Sequence, residues 1–116
     1  MNRRQIGVKY EELAARILCS SGYRILERNF RCRLGEIDII ARHRGYLVFI
    51  EVKYRKDAGT GYPEEAVDVR KQTVIRKTAE FYMKSRGYGL SVPCRFDVVS
   101  MEGEQIRIIE DAFWTY

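Results

Sequence analysis

The chain has 116 residues, 46% of them hydrophobic, which is enough for one core and too few for two, so a single domain is expected over 1–116. Its 21 lysines and arginines against 16 acids give a formal charge of +5, which favours polyanionic partners. No run approaches the roughly 18 apolar residues of a membrane span, the N-terminus lacks a signal-peptide core, and the three cysteines (Cys19, Cys32, Cys94) fit neither a zinc pattern nor a disulfide framework. A cytoplasmic protein with reduced thiols and no membrane association is therefore expected.

The charge is uneven. Between Met1 and Arg33 eight bases face three acids, so this segment carries the whole excess. From Ile6 to Ser21, apolar residues at Tyr10, Leu13, Ala14, Ile17 and Leu18 keep the spacing of an amphipathic helix, which Ser20-Ser21-Gly22 ends. Tyr23 to Arg33 alternates loosely and reads as a solvent-facing strand; Gly35–Ala41 and Tyr46–Tyr54 form a better-buried pair joined by a turn at His43-Arg44-Gly45. The glycine-containing stretch from Lys56 to Pro63 reads as a loop. Glu64 to Arg86 follows as a long helix with a stripe of Val67, Val74, Ile75, Thr78, Ala79, Phe81 and Tyr82, and Lys71 on its edge. Strands at Cys94–Met101 and Gln105–Ile109 and an aromatic tail over Asp111–Tyr116 complete the chain. The expected fold class is α/β, a mixed sheet of about five strands with a helix packed on each face.

Strand alternation places Glu51 and Lys53 on one face with Leu47 and Phe49, and Val48, Ile50 and Val52 on the other. On the preceding strand Glu36, Asp38 and Ile40 share a face, so a hairpin can bring Asp38 beside Glu51. Carboxylates at the ends of apolar strands cost several kcal/mol, roughly, unless a cation or strong donors meet them. A hard, oxygen-ligated Mg²⁺ or Mn²⁺ answers that need, because it takes only one or two protein carboxylates and keeps several waters. Asp38 and Glu51 are then its ligands, with the Val52 carbonyl as a further oxygen. Lys53 would orient or deprotonate a water, or neutralise a phosphate.

Asp38 with Glu51-Val52-Lys53 resembles the D…(D/E)xK signature of the PD-(D/E)xK nuclease superfamily. Gly35-Glu36-Ile37-Asp38, Val48 to Arg55, Arg95-Phe96-Asp97-Val98-Val99 and Asp111-Ala112-Phe113, with Gly7 and Glu11, are similar to the YraN family of predicted endonucleases over nearly the whole chain. That family looks like archaeal Holliday-junction resolvases. The resemblance implies a restriction-endonuclease-like α-β-β-β-α-β core and metal-dependent cleavage of DNA, ahead of RNA, including branched structures. A binding module of the same fold without strong cleavage is the alternative. A homodimer presenting two sites would suit symmetric junctions.

The resemblance also implies that Glu11 is a further metal ligand and that Lys71 and Gln72 orient Lys53 or touch phosphate. An exposed Glu11 paired with Arg16 or Lys9 is the alternative reading. Glu36 either supports the metal through water or pairs with Arg33 or Arg55, and Asp97 is either a supporting residue or satisfied by Arg95 or Lys71. His43 is expected at the surface. Arg28, Arg31, Arg33, Arg42, Arg44, Arg55 and Lys56 are candidates for phosphate contacts, with Arg3 and Arg4 as an arm. Tyr54 and Tyr62 would stack on unpaired bases or else pack internally.

Overall fold

A computed structural model describes residues 2–55, 67–89 and 91–113, with Arg3 and Arg4 as backbone alone. Lys56, Tyr62, the expected loop, Trp114 and the rest of the tail lie outside the described residues. Helix α1 (Arg3–Ser20) is followed by strands β1 (Arg24–Cys32), β2 (Gly35–His43) and β3 (Tyr46–Arg55), helix α2 (Val69–Ser85), and strands β4 (Cys94–Glu102) and β5 (Gln105–Ile109).

α1 begins three residues earlier than the apolar spacing predicts, because Asn2 and Gln5 form a reciprocal cap. The Asn2 side chain accepts the Gln5 N–H at 2.9 Å, and the Gln5 side chain accepts the Asn2 N–H at 3.0 Å. α2 begins at Val69, where the Asp68 carboxylate accepts the Lys71 N–H at 2.8 Å. Val67 thus precedes the helix, yet it is buried in the same core as the helix stripe.

The sheet has the order β1-β2-β3-β4-β5, antiparallel except for the parallel β3–β4 pair, which the α2 crossover makes possible. Two separate cores lie on its two faces. Ala14, Ala15 and Leu18 of α1 pack on Ile39, Ala41, Val48, Ile50 and Val99. Ile75, Ala79 and Tyr82 of α2 pack on Ile40, Leu47, Phe49, Phe96 and Val98. The β3 alternation is as the sequence implies, and among the described residues no helix is long and apolar enough to cross a membrane. Phe113 packs into the α2-side core, with its ring 5.1 Å from that of Phe96.

β2 departs from simple alternation. Ile37 and Ile40 both face α2 whereas Ile39 faces α1, so the side-chain period slips at Asp38. On β1 the residue opposite the slip, between the Arg28–Ile39 and Phe30–Ile37 pairs, is Asn29, held at φ +54°. Asparagine tolerates that left-handed conformation, and the local twist turns Phe30 and Ile37 together under α2. Gly35 allows the hairpin to approach α2: a Cβ there would stand 2.5 Å from Val74 Cγ1 at a φ of +156°.

Candidate active site

β2 and β3 pair from His43–Tyr46 up to Ile39–Ile50, and then part. Beyond that point the Val52 N–H is met by a side chain instead of a backbone carbonyl: Asp38 Oδ2 accepts it at 2.8 Å. Asp38 is thereby fixed at the fork, close enough to Glu51 for the charge of each carboxyl to act on the other. Glu51 is mostly buried on the α2 face, and Lys71 Nζ of α2 lies 3.7 Å from its Oε1. Strand geometry and a helix meet at one pair of acids.

The electrostatics follow from burial. Loss of water, then the charge of Asp38, push the Glu51 carboxyl up to about 7, against the pull of Lys71 and Lys53. Asp38 is raised as well, by burial first; the Val52 N–H, Lys71 and Glu51 hydrogen bonding offset part of the effect, while Glu36 adds to it. Glu11, half-buried on α1, is raised by burial and by Asp38, with Arg28 opposing. The raised values of Glu51 and Asp38 mean that a cation would be welcome between them.

A divalent metal fits this donor set in one form only. Among the described residues no three acidic, histidine or cysteine side chains converge closely enough to hold a metal ion. Glu11 lies within electrostatic reach of Asp38 and flanks the acid pair. Asp38 and Glu51 remain: two hard oxygen ligands, which suffice for Mg²⁺ or Mn²⁺ that retains most of its waters.

Residues 10–101 match the sequence pattern of the uncharacterised protein family UPF0102. The chain belongs to this family. A UPF0102 protein of Lachnoclostridium phytofermentans is 53% identical over 116 residues, covering 100% of this chain and 98% of its own. One from Fusobacterium nucleatum is 45% identical over 114 residues, 98% of this chain and 95% of its own. A third, from Moorella thermoacetica, is 50% identical over 101 residues, 87% of this chain and 83% of its own.

Most bases singled out as phosphate ligands are engaged within this UPF0102 chain itself. Arg28 reaches Glu12 at 2.9 Å and Arg31 reaches Glu36 at 2.9 Å, so the partner of Glu36 is neither Arg33 nor Arg55. Arg42 lies over the Tyr88 ring, Arg44 is 3.8 Å from Glu110, and Arg55 is 3.9 Å from Glu102. Gln72 donates its side-chain amide to the Val67 carbonyl at 2.9 Å. Tyr54 stacks on Tyr10 at 3.8 Å, the internal packing that was its alternative reading. Arg33 and Lys53 are exposed. Exposed ion pairs are worth little, about 0–1 kcal/mol, so a polyanion can exchange with Glu12 or Glu36 for these arginines.

One buried network decides two residues: Asp97 takes its alternative reading, satisfied by Arg95, and the surface expectation for His43 fails. Asp97 is fully buried, and its carboxylate accepts from Tyr23 Oη (2.7 Å), Arg95 Nε (2.9 Å) and Nη2 (2.8 Å), and the Asp111 N–H (3.0 Å). It faces α1 beside Ile50, across the sheet from Glu51, so it does not support the acid pair. His43, expected at the surface, is 6% exposed; it stacks on Tyr23 at 3.8 Å, and its Nδ1 meets Arg95 Nη2 at 2.6 Å. The signal in the sequence was Arg95 and Asp97 two apart on an apolar strand, a spacing that puts both on one face. Partners distant in sequence carried no such signal.

Proposed function

We infer that the protein is a Mg²⁺- or Mn²⁺-dependent endonuclease of the PD-(D/E)xK type that hydrolyses phosphodiester bonds of DNA, branched DNA included. The observation that carries this reading is the fork: where β2 leaves β3, Asp38 is pinned by the Val52 N–H next to the largely buried Glu51, with Lys53 two residues beyond Glu51 on the same strand. The mixed five-stranded sheet between two helices suits the restriction-endonuclease-like core.

A bound divalent ion supplies Lewis acidity toward the phosphate and an acidified water. Asp38 and Glu51 would hold it. Asp38 Oδ2 is committed to Val52, so its position is preset and one oxygen remains for ligation. Lys71 restrains Glu51 from the helix side and offsets its charge. Lys53, exposed on the same strand as Glu51, would neutralise the added negative charge as water attacks phosphorus and the P–O bond to the leaving oxygen breaks. The Val52 carbonyl is a further oxygen donor on the same strand.

The test is cleavage of linear, single-stranded, flapped and four-way DNA with Mg²⁺ or Mn²⁺, comparing wild type with Asp38→Asn, Glu51→Gln and Lys53→Ala. Each variant should lose on the order of 10²-fold or more in rate. Cleavage that persists unchanged in all three variants would refute the assignment. Tight binding of these DNAs by wild type without any metal-dependent cleavage would favour the binding-module reading.

A further inference from the structure

On the outer side of α2, the turn between β1 and β2 and the helix enclose a groove of about 330 Å³ lined by Arg33, Leu34, Lys77, Glu80, Phe81 and Lys84. Its chemistry is specific. Phe81, a member of the helix stripe by its spacing, is 37% exposed, and Leu34 is 40% exposed. Three bases surround these apolar groups against one acid. The Phe81 ring neighbours Phe30, with centroids 6.4 Å apart at a tilt of 39°.

The groove lies on the same helix as Lys71, on the far side of the Gly35 turn from the carboxylate pair. Lys71, Val74, Thr78 and Phe81 follow one another at intervals of three, four and three, one line along α2. Lys71 stands at Glu51, Val74 and Thr78 stand under Gly35, and Phe81 lies about 15 Å beyond Lys71 along the helix axis. A flexible polyanion carrying planar apolar groups matches three bases set around an exposed aromatic ring; an acidic peptide would satisfy the bases but would leave the ring without a planar partner.

We propose that this groove is a binding site for single-stranded nucleic acid, in which an unpaired base stacks on Phe81 while Lys77, Lys84 and Arg33 meet the flanking phosphates. The site deepens the nuclease reading, on which its place in the reaction rests: it anchors an unpaired strand beside the fork and so favours substrates with single-stranded or splayed segments over uniform duplex. The groove binds without chemistry, so its occupancy can be measured apart from cleavage.

The measurement is fluorescence anisotropy with a labelled oligothymidylate of about a dozen nucleotides, in EDTA, across a salt series. Phe81→Leu, which keeps the packing on Phe30 and removes the aromatic face, should weaken binding about tenfold, whereas Phe81→Trp should bind at least as well as wild type. Lys77→Ala and Lys84→Ala should each lower the slope of log affinity against log salt by about 0.7. Glu51→Gln should bind as tightly as wild type. Equal affinity of wild type and Phe81→Leu, or no binding of the oligonucleotide by wild type while an acidic peptide binds, would overturn the proposal. Loss of cleavage specificity for the fork residues with oligonucleotide binding intact would remove the nuclease reading and leave this site standing.

Discussion

Asp97→Ala should cost the protein about 3–5 kcal/mol of folding stability, although Asp97 does not face the acid pair. The reason is what it leaves behind. Arg95 is 8% exposed, and its charge-assisted hydrogen bonds to Asp97 hold its guanidinium ionised, well above its ordinary pKa. Without Asp97 the guanidinium keeps one carboxylate among the described residues, the half-exposed Glu110 3.2 Å away, together with the Tyr23 hydroxyl, the His43 ring nitrogen and the Tyr46 ring face. A buried cation with so little countercharge is among the most destabilising defects a core can hold. The same change strands the Asp111 N–H, which fixes the turn that delivers Phe113 to the core. Urea unfolding measures the loss. Arg95→Met combined with Asp97→Leu should recover much of it, since it removes both charges at once; a loss below about 1 kcal/mol for Asp97→Ala would contradict the network's role. Mn²⁺ affinity of the folded variant should equal that of wild type, because Asp97 lies on the other face of the sheet.

Glu51→Gln should have the opposite sign at neutral pH: in EDTA it should stabilise the protein. Burial raises the Glu51 pKa from 4.5 to about 7, so the fold prefers the protonated carboxyl. The stability tied to that proton is fully present below the unfolded value near 4.5, and it is lost as pH rises through about 7. At about 1.4 kcal/mol per pKa unit, the loss is about 3 kcal/mol at most, and Asp38, raised in the same direction, adds to the slope. Wild type in EDTA should thus weaken between pH ~5 and ~8, and Glu51→Gln should weaken much less and overtake it at the upper end. Parallel pH profiles for the two proteins would contradict the burial argument. A site residue that reduces stability marks a place where function, and not packing, selects the side chain.

Much of this arrangement is legible in the chain, and the remainder shows where local pattern ends. The period of two along Leu47–Lys53 correctly divides the β3 side chains between the two cores, since nothing interrupts that strand. The same rule applied to Glu36–Ile40 misses the slip at Asp38, because the twist comes from Asn29 on the neighbouring strand. Helix spacing puts Phe81 in the stripe, but there the helix meets the edge strand β1, through Phe30, and Phe81 stays 37% exposed. The Arg95 network links residues 52 to 74 positions apart, a distance over which no local periodicity speaks. Charge patches mislead for a similar reason: Arg28 and Arg31 look free until the fold brings Glu12 and Glu36 beside them.

The most direct test of the account is titration calorimetry of Mn²⁺ into the metal-free protein at pH ~7.5, repeated in buffers of different ionisation enthalpy. The fork of Asp38 and Glu51 predicts uptake of the ion by wild type together with release of protons from the acid pair, and the loss of both in Glu51→Gln. Absence of uptake by wild type, or uptake by Glu51→Gln equal to it, would contradict the claim that these two carboxylates form a divalent-cation site.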